Sequence, residues 1–484
     1  MCKSSQTPLD IVSDLYTKTF QSKPKEIKQL RPSGSARLYF RIEDSARTVI
    51  GTYNENTREN EAFIYISNHL KNKHIPVPKI LAENLEKHCY IQEDLGDDTL
   101  YEYLQKTKNL PNFEKRRKKL YKKVLEHLIR IQTEGDRGLD FSKCFPREKF
   151  DEQSIKWDLN YFKYLFLKPA GIDFDEQALG DDFHNFTKFL LKADSDFFMF
   201  RDFQSRNIIY NEQELSFIDY QGGRKGALQY DPASLLYDAK AELPEKLRSE
   251  LIEFYADLAK KHTGITKKTF FKYYRPFVVL RIMQAMGAYG FRGLVENKKH
   301  FILSIAPAQK NLNSLLKNAD FLSGYPELKK VLHKIAESHK LTKLSESAKL
   351  TVSISSFSYK RAIPYDASGN GGGFVFDCRF LNNPGRHEKY KTLTGKHPKV
   401  IQFLKENSQA DTFSQNCLQL IQPAVENYIQ REFANLNMAF GCTGGQHRSV
   451  YLAEEIAKYL KTKYDININI RHLELEKTYN TATQ

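Results

Sequence analysis

The chain has 484 residues, 40% hydrophobic and 27% charged, a length beyond what one core supports and one that predicts two or three globular domains. Thirty-three Phe and 27 Tyr against a single Trp predict well-filled cores and exclude a largely disordered chain. The net charge of +15 is spread along the sequence, which argues against a simple nucleic-acid-binding arm and suits a protein that handles anionic small molecules. The six cysteines, at positions 2, 89, 144, 378, 417 and 442, form no CxxC pair or zinc spacing, so reduced thiols and no structural metal are expected. The longest apolar candidate, 276–295, is interrupted by Arg281 and Arg292, and the first six residues contain no apolar run. Neither a membrane span nor a secretory signal is expected, which makes the cytoplasm the default location.

In chain order, Ala36 to Ile42 and Thr48 to Tyr53 have strand composition and are joined by the polar turn Glu43-Asp44-Ser45. Glu59 to Leu70 carries Ala62, Phe63, Ile66 and Leu70 at helical spacing, and Ile75-Pro76-Val77-Pro78 ends that helix because proline cannot continue it. Tyr90 to Gly96 reads as a strand running into a hinge. From Thr99 to about Ile335 the pattern is mostly helical, interrupted around 197–222. A polar stretch at 336–349 reads as a linker. Strands are then predicted at Leu350 to Ser355, Phe374 to Phe380, Asn437 to Phe440 and Ile466 to Arg471, with a helix from Arg448 to Lys463, an α/β alternation.

The interruption carries the chemistry. Phe200-Arg201-Asp202-Phe203-Gln204-Ser205-Arg206-Asn207 is followed, twelve residues after the Asn, by Asp219 at the end of the apolar Phe217-Ile218. Phosphoryl transfer needs a carboxylate at the acceptor hydroxyl, an amide oxygen on Mg²⁺ and a second carboxylate on that metal. Asp202, Asn207 and Asp219 are those three groups at the spacing of a kinase catalytic loop. A solvated polar loop is the plainer alternative.

Six ordered strings make the region from about 25 to 335 resemble the aminoglycoside phosphotransferase-like kinases. They are Gly34-Ser35-Ala36-Arg37-Leu38-Tyr39-Phe40-Arg41, Val77-Pro78-Lys79-Ile80, Glu93-Asp94-Leu95-Gly96, the 201–207 run, Asp219-Tyr220-Gln221, and Tyr230 to Asp238. The similarity is to the branch that phosphorylates the anomeric hydroxyl of N-acetylmuramate or N-acetylglucosamine. It implies an α+β bilobal protein-kinase-like domain, with a small β-rich N-lobe at 25–98 after a helical extension at 1–24, and a mostly helical C-lobe at 99–335. It also implies ATP and Mg²⁺ as cofactors, Asp202 as catalytic residue, and Asn207 and Asp219 on the metal. Gly34, Ser35 and Arg37, with Glu93 and Leu95 at the hinge, would meet ATP, although a one-glycine turn at 34–35 also fits an ordinary hairpin. Trp157, Asp158 and Arg206 would face the sugar, a plain helix burying Trp157 being the alternative for the first two. Asp231 and Asp238 read as capping or loop-bracing residues. Two features depart from the family. Thr48 to Tyr53 has no lysine to contact the phosphates and pair with a helix glutamate such as Glu61, a charge that Arg37 or Arg41 would have to supply; and Phe200 stands where His is usual, as does Gln204 where His is common.

Gly441-Cys442-Thr443-Gly444-Gly445-Gln446-His447-Arg448-Ser449 lies between a predicted strand and helix. Paired glycines let successive N–H groups point inward, the helix start adds a positive dipole end, and His447 and Arg448 add donors, so an anion site is expected. The same string fits C-x₅-R, in which Cys442 would be a thiolate nucleophile. Together with Ser353 to Lys360, Phe376 to Pro384 and Leu393-Thr394-Gly395, it makes residues 350–484 resemble the α/β RapZ C-terminal domain. That resemblance implies a phosphorylated amino-sugar ligand held by Thr443, Gly444, Gly445, His447 and Arg448 and faced by Arg379, Asn382 and His387. It leaves RNA as a possible but not favoured partner and oligomerisation through this domain open. The expectation is an ATP-dependent amino-sugar phosphotransferase fused to an amino-sugar-phosphate-binding module; the alternative is a pseudokinase adaptor acting through RNA or protein.

Overall fold

The computed structural model describes residues 6–30, 37–211, 214–296, 298–365, 373–431 and 433–476. Two compact units divide the chain, one formed by residues 1–295 and 307–338, the other by 296–306 and 339–484.

In the first unit α1 (Pro8–Phe20) is followed by β1 (Glu26–Gln29), β2 (Leu38–Glu43), β3 (Thr48–Tyr53), α2 (Thr57–Asn72), β4 (Ile80–Asn84) and β5 (Cys89–Glu93). The strands form an antiparallel sheet in the order β1-β2-β3-β5-β4. α1 starts in a capping box between Thr7 and Asp10 and buries Val12, Leu15 and Tyr16 against Phe40, Ile42, Val49, Cys89 and Ile91. The helical extension therefore belongs to the core of the small lobe. Gly51 permits the contact, since a Cβ there would lie 2.2 Å from Val12 Cγ1.

The helical lobe contains α3 (Leu100–Thr107), α4 (Phe113–Glu134), α5 (Glu152–Phe162), α6 (Lys168–Ala170) and α7 (Glu176–Leu190). Two short ribbons then frame the predicted catalytic run: β6 (Phe197–Met199) pairs with β9 (Arg224–Gly226), and β7 (Ile208–Asn211) with β8 (Glu214–Phe217). After them in the chain come α8 (Tyr230–Leu236), α9 (Glu245–Thr263), α10 (Lys267–Ala288), α11 (Lys299–Leu303), α12 (Ile305–Leu316), α13 (Pro326–Ala336) and α14 (His339–Ser347), of which α11 and α14 belong to the second unit.

The stretch expected as a linker at 336–349 contains the division between the two units, and α14 occupies most of it. This helix buries Leu341 and Ser345, one turn apart, and packs on α11 within the second unit. A polar outer face had hidden that two-residue stripe.

The second unit continues with β10 (Thr351–Ser358), β11 (Gly373–Asp377), α15 (Pro398–Glu406), α16 (Ala410–Gln430), β12 (Asn435–Cys442), α17 (Arg448–Lys463) and β13 (Asn467–His472). Its sheet is parallel throughout, in the order β11-β12-β10-β13. Val352, Ile354, Met438 and Phe440 pack on Ile421 and Val425 of α16 and on Leu452, Ile456 and Leu460 of α17. Among the described residues no helix is long and apolar enough to cross a membrane.

Candidate active site and the C-terminal loop

Two non-glycine residues of the catalytic run hold left-handed backbone, Arg201 at φ 83° and Asp219 at φ 70°. L-residues resist that region, so neighbouring groups must hold them there. For Arg201 the support is Asp231, fully buried at the start of α8. Asp231 accepts the N–H groups of Phe200 at 2.8 Å and Arg201 at 3.0 Å, and Gln132 Nε2 at 3.0 Å. Burial pushes its carboxyl up to about 7, while the donors pull the other way. Asp238 caps the turn at 239–241 and lies 3.5 Å from the Ser205 hydroxyl. Phe200, at the usual His position, packs edge-on to Phe203 and Tyr220 with centroids at 5.0 and 5.8 Å.

The run then closes on itself. Asn207 Nδ2 donates to the Asp202 carbonyl at 2.8 Å and to Asp219 Oδ2 at 3.2 Å, and Gln221 Nε2 donates to Asp219 Oδ1 at 2.9 Å. Asp202 is half-exposed, with Arg281 Nη2 3.8 Å from its Oδ1. Removal from solvent and the nearby Asp202 charge raise the Asp219 carboxyl above its ordinary value. One carboxylate and one amide beside a second carboxylate form a hard oxygen donor set. That set fits Mg²⁺, which commonly takes one or two protein ligands and fills its shell with phosphate oxygens and water.

Arg37 is 3% exposed at the start of the second sheet strand, and its Nη2 donates to Glu59 Oε1 at 2.6 Å. Its Nη1 reaches the Tyr39 hydroxyl at 3.2 Å and lies 3.6 Å from Asp219 Oδ1. α2 presents Glu59 because Phe63 stacks on Tyr90 and Tyr220, and the Ser67 and Tyr220 hydroxyls bond at 2.7 Å. The helix glutamate is thus Glu59 and not Glu61. Arg41, the other candidate for the missing charge, is held by Asp94 at 2.6 Å and Asp97 at 2.5 Å. Gly34 and Ser35 lie outside the described residues. Glu93 ends β5 and its side chain accepts the Lys79 N–H at 3.1 Å, while the Leu95 carbonyl lies 3.5 Å from Asn211 Nδ2.

The expected sugar wall is not one surface. Trp157 is 48% exposed beneath Arg147, whereas its neighbour Asp158 is 6% exposed and ion-paired to Arg201 Nη2 at 2.6 Å. Successive helix residues point about 100° apart, so one faces solvent and the other the catalytic run. Asp158 is committed to a salt bridge in place of a sugar hydroxyl, although its Oδ2 is buried without a partner. Arg206 is turned to Gln204 Oε1 at 3.1 Å. Sequence reasoning missed Glu59 and Arg201, whose only signal was an acidic or basic residue near a recognised string.

In the second unit the 441–449 loop leaves the C-terminal end of β12 and opens α17, whose first turn has no side-chain cap. Thr443 and Gly444 are exposed, and a Cβ on Gly444 would meet nothing within 4 Å. Gly445 at φ 68° is required, because a Cβ there would also lie 3.0 Å from Ser358 N. Arg448 differs from the expected open fork: Nη1 donates to the carbonyls of Arg379 at 2.7 Å and Leu381 at 2.9 Å, and Nη2 to Thr443 Oγ1 at 3.2 Å. Its Nε is buried without a partner, so the Nε/Nη2 edge keeps two N–H groups. His447 is also redirected; it is 8% exposed and its Nε2 bonds the Tyr390 carbonyl at 3.0 Å, which holds the 384–390 turn. Arg379 forks onto Asp377 and covers Tyr359, Asn382 bonds the Asn407 carbonyl, and His387 stacks edge-on to Phe403. The thiolate reading of Cys442 meets a sulfur 2% exposed that accepts the Gly445 N–H at 3.2 Å.

Residues 26–263 match the phosphotransferase enzyme family, and residues 350–476 match the RapZ C-terminal domain. The chain joins a phosphotransferase-family domain to a RapZ C-terminal domain. The first has the protein-kinase-like fold of its family. Over 132 residues the chain is 39% identical to a nucleotide-binding protein of Syntrophomonas wolfei, covering 27% of this chain and 43% of that protein. Over 181 residues it is 34% identical to the RNase adapter protein RapZ of Hamiltonella defensa, covering 37% of this chain and 61% of the relative. The chain thus spans less than two thirds of these relatives' length. Among solved structures, choline kinase LicA from Streptococcus pneumoniae superposes with a TM-score of 0.44 at 14% identity, over 64% of this chain and 99% of that one. Spectinomycin phosphotransferase with ADP and spectinomycin gives 0.41 at 14% identity, over 68% and 97%.

Proposed function

We propose that the phosphotransferase-family domain transfers the γ-phosphoryl group of ATP to a hydroxyl of an amino sugar, the anomeric one of N-acetylmuramate or N-acetylglucosamine. The observation that carries this reading is the Asn207 amide bridging the Asp202 backbone and the Asp219 carboxylate, at 2.8 and 3.2 Å. It brings the half-exposed Asp202 carboxylate next to a metal-type donor set. Asp202 accepts the hydrogen bond of the sugar hydroxyl and orients its oxygen towards the γ-phosphorus. As that P–O bond forms, the bond to the ADP oxygen breaks and the hydroxyl proton passes to Asp202. Asp219 and Asn207 would hold Mg²⁺, which when bound neutralises charge on the phosphate oxygens. Arg37, anchored by Glu59, supplies the cation that β3 lacks, and the segment from the end of β5 at Glu93 through Leu95 receives the adenine.

The RapZ C-terminal domain binds a phosphorylated amino sugar at the uncapped start of α17, with Thr443, Gly444 and the Nε/Nη2 edge of Arg448 as donors. Ligand there regulates the kinase by feedback. The adaptor reading keeps one point in its favour, the relative named as an RNase adapter. ATP turnover against a sugar panel decides between them: a panel on which the chain and Asp202→Asn are equally silent removes the kinase, and retention of RNA at low salt then supports the adaptor.

A further inference from the structure

Three arginines from three elements lie near enough to Asp202 to feel its charge. Arg201 follows β6, Arg224 opens β9, and Arg281 lies on α10; Arg224 and Arg281 are 6% and 5% exposed. Two of them have obvious company. Arg201 donates to Asp158 and to the Tyr230 hydroxyl, each at 2.6 Å. Arg281 bonds the Ser234 hydroxyl at 2.9 Å and Gln284, and lies beside Asp202.

Arg224 has neither. Its Nε donates to the Gly222 carbonyl at 2.9 Å, and no carboxylate lies within ion-pair distance of it among the described residues. Burial, then the charge of Arg201, pull it down to about 10, and Asp158 and Asp202 are near enough to pull back. A guanidinium taken from water without a counter-charge is strongly disfavoured, so buried arginines are normally paired. Asp158 accepts from Arg201 through Oδ1 and keeps an Oδ2 without a hydrogen-bond partner, and Asp202 is the group assigned to the acceptor hydroxyl. Three cations face two anions. Half-buried Gly222 backs onto this group, since a Cβ there would lie 3.8 Å from Arg224 Nη2 and 3.7 Å from Arg201 Cγ. Gly222 is only three residues after Asp219.

We infer that Arg224 determines specificity by receiving an anionic group, a carboxylate or a phosphate, carried by the sugar whose hydroxyl faces Asp202. The planar end of a guanidinium matches either oxyanion in bidentate fashion. This rests on the kinase reading of the Asp202 site, and the test separates the two.

Initial rates of ADP release are measured for the full chain with three sugars that share a free anomeric hydroxyl: neutral N-acetylglucosamine, carboxylate-bearing N-acetylmuramate and N-acetylglucosamine-6-phosphate. One of the anionic pair is expected to exceed the neutral sugar in kcat/KM by about tenfold or more, and the better of the two identifies the oxyanion. Arg224→Gln should lower that value by about 30-fold while changing the neutral sugar less than about threefold. Arg224→Lys, which keeps a charge, should retain part of the preference, and it decides the matter if the Gln variant does not fold. A neutral sugar preferred over both, or an equal loss on all three, overturns the inference. If the wild-type chain turns over no sugar, the kinase reading has failed. Calorimetric titration of the two anionic sugars with ADP and Mg²⁺ present then decides separately: binding lost in Arg224→Gln upholds the site, and no binding to wild type, or binding untouched by the substitution, overturns it.

Discussion

Arg37 donates to Glu59 at 2.6 Å while its other terminal nitrogen lies 3.6 Å from Asp219, so one buried guanidinium ties α2 to the metal-type aspartate. Lysine on β3 is the ordinary solution to that problem in kinases. In the proposed site the charge enters from the start of β2. Arg37→Met should therefore lower kcat by about 10²–10³ with a smaller change in the KM for the sugar, and Arg37→Lys should recover part of it. Steady-state rates with varied ATP check this. Unchanged kcat in the Met variant would remove Arg37 from the phosphate site.

The brace under the catalytic run gives a second expectation. In Asp231→Asn an amide N–H replaces an acceptor that faces the backbone N–H groups of Phe200 and Arg201. A buried donor left facing donors costs about 1–3 kcal/mol, and the left-handed Arg201 loses its support. Thermal unfolding should shift down and kcat fall together.

Stability should also depend on His127. Burial, then the charges of Arg130 and Lys123, lower its pKa from 6.5 to about 4, and its ring lies 5.5 Å from Phe217. The folded state therefore binds fewer protons than the unfolded state between about pH 4 and 6.5, and stability rises with pH across that window. It is lost as pH falls from 6.5 towards 4. Urea unfolding of His127→Gln at several pH values should show a shallower slope in that interval than the wild-type chain.

For the C-terminal domain, Arg448→Met removes two donations to the carbonyls of Arg379 and Leu381 and one to Thr443. The loss should be about 1–3 kcal/mol of domain stability. It should also abolish the response of kinase kinetics to added glucosamine-6-phosphate. Wild-type kinetics indifferent to that ligand would remove the feedback proposal.

Much of the fold was legible because it rests on periodicity. The β3 bounds, the proline stop after α2 and the strand–loop–helix of 441–463 follow from residue type alone. Helix α14 was not, since two buried residues in a polar stretch give too weak a stripe. In the candidate site, Asp202, Asn207 and Asp219 were readable from spacing, but their supports were not. Asp158 and Arg201 are 43 positions apart in sequence, and Asp231 and Arg201 are 30 apart. Only the tertiary fold shows that Asp158 serves an arginine, or that Arg224 has no carboxylate within ion-pair distance among the described residues. Arg448 and His447 illustrate the converse: their residue types suit an anion, yet three of the five Arg448 N–H groups and the His447 Nε2 are already engaged by neighbouring carbonyls and the Thr443 hydroxyl.

The most direct test is ATP turnover by the full chain with N-acetylmuramate and N-acetylglucosamine in the presence of Mg²⁺, with Asp202→Asn measured beside it. Sugar-dependent ADP release by the wild-type chain, lowered by about 10²-fold or more in the variant, is the predicted result. Equal rates for the two proteins on every sugar would contradict it.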